Sequence, residues 1–226
     1  MKVEDVVTRV RLAIDEHTPD DTSFAQLATD EQEMTRIIVD KIPYALRQVI
    51  EEAPLEKLDS DMFLTTLQPG SFTLETVGSD KFGKVKLPEK LLRIVEARLS
   101  SWSHYPIPEP STSQVYLMQL DPYARGSWDR PVNILTFDNQ GKKVLEMYCA
   151  KEASDTLRFV YIAAPDTSNI SMDHLTEDVV KVPEKLEASL VYQVAGLTMM
   201  AFREDIAGTL LAMSKRYLDG EVKSEE

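Results

Sequence analysis

The chain has 226 residues, with 25 Lys and Arg against 38 Asp and Glu, a formal net charge of −13. Hydrophobic residues make up 43% and charged residues 28%. That balance suits a globular chain long enough to bury a core without staples, and it excludes collagen-like, disulfide-scaffold and wholly disordered classes. A charge of −13 disfavours a tight grip on nucleic-acid phosphates. The single cysteine, Cys149, has no intrachain partner and fits a reducing compartment. Residues 1–5 lack the apolar core of a secretory signal. The longest apolar-rich stretch, 189–202, falls short of the roughly 20 residues a bilayer span needs, so no membrane association is expected.

Taken in chain order, Val3, Val6, Val7, Val10 and Ile14 recur at spacings of three and four and predict a helix over 3–14, ended by residues 17–21 with Pro19. Asp30 with Glu33 has the capping-box offset. It opens a second helical stretch through Met34, Ile38, Ile42, Leu46 and Ile50, in which Pro43 is expected to kink the helix or split it in two. From Gly70 the period becomes two. Phe72, Leu74 and Thr76 alternate, residues 78–83 turn, and 84–87 return as a hairpin. Residues 88–92 suggest one helical turn with Pro88 first, and 94–101 read as a strand. Residues 105–110 hold three prolines and read as extended or looped. Residues 111–120 suit a short helix capped by Ser111 or Ser113. Residues 132–138 and 142–150 form a hairpin around Asn139-Gln140-Gly141, and 157–163 form a further strand. Pro183 opens a helix to Phe202, apolar on most sides and therefore buried. Residues 205–218 form a last amphipathic helix, with Ile206, Leu210, Met213 and Tyr217 inward and Gly220 closing it.

This order, helices then strands then helices, predicts an α+β fold. The terminal helices (1–69 and 166–218) are expected to pack as a bundle, with an antiparallel β-rich region inserted at 70–165 and a charged tail at 219–226.

Little in the sequence points to chemistry. His17, His104 and His174 are far apart and match no metal-ligand spacing. Gly126-Ser127-Trp128 lacks the flanking glycine pattern of a nucleophile elbow. The eight glycines never cluster as a phosphate loop. Cys149 alternates within a strand and reads as a small packed side chain. Carboxylate pairs such as Glu51 with Glu52 read as solvated surface. No catalytic residue, metal or cofactor is expected. The most distinctive local feature is the loop 123–130, which holds Tyr123, Arg125, Trp128 and Arg130. Tyr, Trp and Arg are enriched at interface hot spots, so these four are candidate protein-interface residues. The competing reading makes Trp128 a lid on a small core.

The succession of features also carries a resemblance. A helical start is followed by Lys84-Val85-Lys86-Leu87-Pro88-Glu89-Lys90-Leu91-Leu92-Arg93-Ile94-Val95, a strand ending near Trp102, and the phrase Asp121-Pro122-Tyr123-Ala124-Arg125-Gly126 before a hairpin. It closes on Val182-Pro183-Glu184-Lys185-Leu186 and two helices. This layout resembles the head–tail adaptor proteins of short-tailed phages, the tail-tubular-A-like ring proteins, most of all those of crAss-like phages. The resemblance implies a homo-oligomeric ring of about twelve copies, seated between portal and tail proteins of a virion assembled in the host cytoplasm. DNA would pass through it without sequence-specific binding. Two other classes stay open from the residues alone: a small α+β hydrolase using carboxylates, and a bacterial protein- or peptide-binding module.

Overall fold

A computed structural model describes residues 1–17, 31–58, 60–67, 72–77 and 80–220. The fold is α+β, and the chain divides into two compact units, Met1–Phe63 with Ala164–Glu226, and Leu64–Ala163. The expected capping box at Asp30, the helix-ending residues 18–21, the turn residues 78–79 and the tail beyond 220 lie outside the described residues.

In the first unit, α1 (Val3–His17) buries Val3, Val6, Val7, Val10, Ala13 and Ile14 along one face. Helix α2 (Glu31–Glu52) runs as one element through Pro43, so of the two expected outcomes, a kink or a split, the split does not occur. A proline inside a helix costs roughly 3 kcal/mol. Against it stand Ile38, Ile42, Leu46 and Ile50, all fully buried, each stabilising by about 1.5–3 kcal/mol. Packing on both sides of Pro43 outweighs the lost hydrogen bond. A short helical turn, α3 (Ser60–Phe63), ends this part of the chain.

The helix expected from Pro183 to Phe202 is shorter at both ends. Its first turn is 3-10, Glu184–Leu186, and α5 proper spans Glu187–Met199. Bonds from Phe202 N and Arg203 N to Met199 O then turn the chain, which leaves Phe202 and Met200 exposed. Helix α5 lies against α1, α2 and the last helix, α6 (Glu204–Asp219). Gln193 Nε2 donates to Gln48 Oε1 at 2.9 Å. Ser189 and Ser214 each donate to the other's backbone carbonyl, at 3.0 and 2.8 Å. A Cβ at Gly196 would meet Leu211 Cγ at 2.6 Å, so only glycine permits this approach of α5 and α6. Gly220, in the left-handed region at φ 79°, closes α6. Lys57 Nζ donates to the carbonyls of Tyr217 and Leu218 at 2.8 and 2.7 Å, a cation at the negative end of the helix. Met213 and Tyr217, expected inward, are only half-buried.

Among the described residues the second unit forms two sheets. One is three-stranded and antiparallel, in the order β1 (Leu64–Thr66), β8 (Leu157–Ala163), β4 (Leu91–Leu99). The other is five-stranded: β2 (Phe72–Val77), β3 (Asp80–Lys86), β7 (Lys143–Ala150), β6 (Val132–Phe137) and β5 (Pro108–Pro110), with only β5–β6 parallel. Val85 and Met147 from the larger sheet and Leu99, Phe159 and Tyr161 from the smaller share one core with Trp102. The expected helical turn at 88–92 is instead a tight turn, Leu91 N to Pro88 O at 3.1 Å, that opens β4 directly. Strand β8 adds to β4 rather than to the β6–β7 hairpin. That hairpin turns through Gly141 at φ 75°. Asp138 steadies the turn by accepting from Gln140 N and Lys142 N at 2.8 and 2.9 Å.

Charge divides unevenly. Residues 64–163 carry 12 Lys and Arg against 11 Asp and Glu, a net of +1, while the rest of the chain carries 13 against 27, a net of −14.

Candidate functional site

The loop 123–130 is framed by a helix with an inverted pattern. Helix α4 (Gln114–Gln119) starts at Ser113, whose Oγ accepts from Tyr116 N. It buries the polar Gln119, 3% exposed, while Leu117, Met118 and the following Leu120 stand 61%, 46% and 61% exposed. The reason is hydrogen bonding. Gln119 Oε1 accepts from Gly126 N, Gln119 Nε2 donates to Val115 O, and the Gln119 carbonyl accepts from Arg125 Nε, each at 2.8 Å. A buried amide with both ends occupied is tolerated, and satisfying the loop this way turns the apolar neighbours outward.

The loop itself is hydrogen-bonded at each step. Asp121 Oδ1 accepts from Tyr123 N at 2.9 Å, and Asp121 O accepts from Arg125 N at 3.0 Å. Gly126 packs so closely that an added Cβ would lie 2.9 Å from Val132 Cγ2, and its carbonyl accepts from the Cys149 thiol at 3.1 Å. Ser127 and Arg130 exchange backbone bonds of 3.1 Å each, placing Trp128 and Asp129 at the tip. The Ser127 hydroxyl donates to Asp129. That bond, with backbone donors and Arg130, holds the exposed Asp129 carboxyl below the ordinary value.

The four candidate residues therefore take different positions. Tyr123 is fully exposed, Trp128 is 45% exposed, and Arg130 is exposed. Arg125 is half-buried and braces the loop through Gln119. Lys151 Nζ sits 4.4 Å from the Trp128 ring centroid, a cation–π contact. The tryptophan in the core is Trp102, whose Nε1 donates to Cys149 O at 2.9 Å. Cys149 is half-buried and is the extra residue of β7 where the register with β3 shifts between Lys81 and Phe82. Together α4 and the loop border an open cleft of about 640 Å³. Sequence reasoning missed Leu117, Met118, Leu120 and Lys151. For the three apolar residues the sequence trace is Gln119, the second glutamine of the helix Gln114–Gln119.

The nearby titratable groups are committed to structure. Tyr148 donates to Glu146 Oε2 at 2.9 Å, and burial together with Glu146 holds the phenol far above its usual value. Glu96 accepts from Arg98 and Arg158 at 2.7 and 2.9 Å. Asp155 accepts from Ser100, Ser101, Lys151 N and Glu152 N. Among the described residues no cluster of His, Cys, Asp and Glu could hold a metal ion. None of their helices is long and apolar enough to cross a membrane. No protein-family model matches the chain, and no curated protein matches it significantly.

Proposed function

We propose that the chain is a structural subunit of a head-to-tail adaptor ring of a tailed phage, joining the portal to tail components around the DNA channel. One observation carries the reading from the structure: Leu117, Met118, Leu120, Tyr123 and Trp128 present large exposed apolar surface on a hydrogen-bonded frame. Large apolar side chains left exposed close together in sequence are what a protein–protein site would use. A frame ordered before binding reduces the entropy lost on association. The phrases at 84–95, 121–126 and 182–186 supply the kind of assembly. The net charge of −13 suits a channel past which DNA must slide without sticking. In this reading the chain forms a ring of about twelve copies, binds portal and tail proteins, and resides in the virion.

Native mass spectrometry of the chain alone and with its portal tests the proposal. Ring-sized species or a portal complex are expected. A chain that stays monomeric in both conditions and is missing from purified virions overturns it.

A further inference from the structure

We infer that the 123–130 loop of one copy seats in the groove between α1 and α5 of a second copy, so that the chain associates head to tail. The inference rests on the assembly reading above and specifies which surfaces meet. The groove is lined by the apolar Leu12, Ala13, Val191 and Tyr192 together with Glu16, Glu184 and the ion pair of Arg9 with Glu187. Its volume of about 380 Å³ is that of about a dozen waters. Leu12 is 57% exposed, although α1 buries its other large aliphatic residues. Glu16 and Glu184 are exposed and pair with no cation among the described residues, whereas Glu187 is held by Arg9 at 2.7 Å.

The loop offers what that groove lacks: Tyr123 and Trp128 bring apolar rings, and Arg130 and Lys151 bring two exposed cations against the one exposed acid at the tip, Asp129. Charge disfavours one rival: two helical units in contact would oppose −14 to −14, whereas the loop belongs to a unit of net +1. Like-charge juxtaposition suppresses such partners. Loop against groove joins two different surfaces of one chain, which is a heterologous contact and propagates into a ring when its rotation closes.

Three proteins test this under conditions in which the wild type assembles. The loop variant carries Trp128→Ala and Arg130→Glu. The groove variant carries Leu12→Asp, Glu16→Lys and Glu184→Lys. The third is wild type. Every altered side chain is exposed, and unchanged melting curves confirm folding. By sedimentation velocity each variant alone should associate about 30-fold more weakly or worse, the factor for losing one hot spot. Mixed at equal amounts, they should form dimers and stop there, because one intact loop meets one intact groove. A groove variant that assembles like the wild type, or a mixture that stays monomeric, overturns the contact and leaves the ring standing. Wild type that is monomeric throughout, alone and with its portal, overturns the assembly reading and the contact together.

Discussion

Replacing Gln119 by Leu tests whether the loop is ordered by its frame. Leucine fills a similar volume but cannot accept from Gly126 N, a bond of 2.8 Å in a half-buried setting. A donor left without its partner there costs about 1–3 kcal/mol. The bond to Val115 O lies within one helical turn, and the Gln119 carbonyl still accepts from Arg125. The loss therefore falls on local opening of the loop. Converted to an equilibrium, 1–3 kcal/mol predicts amide exchange of residues 126–127 faster by about 5- to 150-fold. Hydrogen–deuterium exchange of a peptide covering 121–131 reads this directly. A Gln119→Leu protein whose loop exchanges as slowly as wild type would refute the argument that Gln119 orders the loop.

Gly126→Ala should lower stability by about 1–3 kcal/mol through overpacking against Val132 and the Arg130 carbonyl, seen as a lower melting temperature. Ser189→Ala and Ser214→Ala should each cost about 1–3 kcal/mol in urea unfolding, and the double variant less than their sum, because each hydroxyl bonds the other residue's carbonyl. For Asp155, burial raises the carboxyl pKa, but Ser101, Glu152 N, Ser100 and Lys151 N outweigh it and the net shift is downward. Its stabilisation is then present above the unfolded value, about pH 4, and is lost as pH falls through the folded value. Asp155→Asn should flatten the acid limb of a melting-temperature profile. Trp128→Ala should weaken assembly while leaving the melting temperature of the monomer within about 1 °C, a surface-sized effect.

The α+β class was legible because two periods are written plainly in the chain: valines at three and four in 3–14, and Phe72, Leu74 and Thr76 at two. What escaped was set by contacts distant in sequence. Nothing local shows that Ile38, Ile42, Leu46 and Ile50 find partners dense enough to carry a helix through Pro43. The phrase Pro88-Glu89-Lys90-Leu91-Leu92 has helical propensity, yet pairing of Leu91 with Ala163 makes it the entry to a strand. At the candidate site, the aromatic and arginine content of 123–130 was visible. The turning of Leu117, Met118 and Leu120 to solvent was not, because it depends on Gln119 being occupied by a glycine amide seven residues later.

The pairing of β1 with β8 has a kinetic side. Leu64 lies opposite Ile162 and Thr66 opposite Val160, so the two ends of the inserted segment are held about one strand spacing, roughly 4.8 Å, apart. Without that ladder, bringing α1 and α2 to α5 and α6 would mean closing a loop of about 100 residues, an entropic cost of roughly 4–5 kcal/mol. Once the sheets have formed, the same closure spans only a strand pair. The insert then acts on the helices as a cross-link would, and the sheets are expected to fold before the helices that flank them. Stopped-flow refolding should show Trp102, in the sheet core, reaching its native signal ahead of the helical ellipticity. A variant that frays β1 from β8 should slow the helical phase more than the sheet phase.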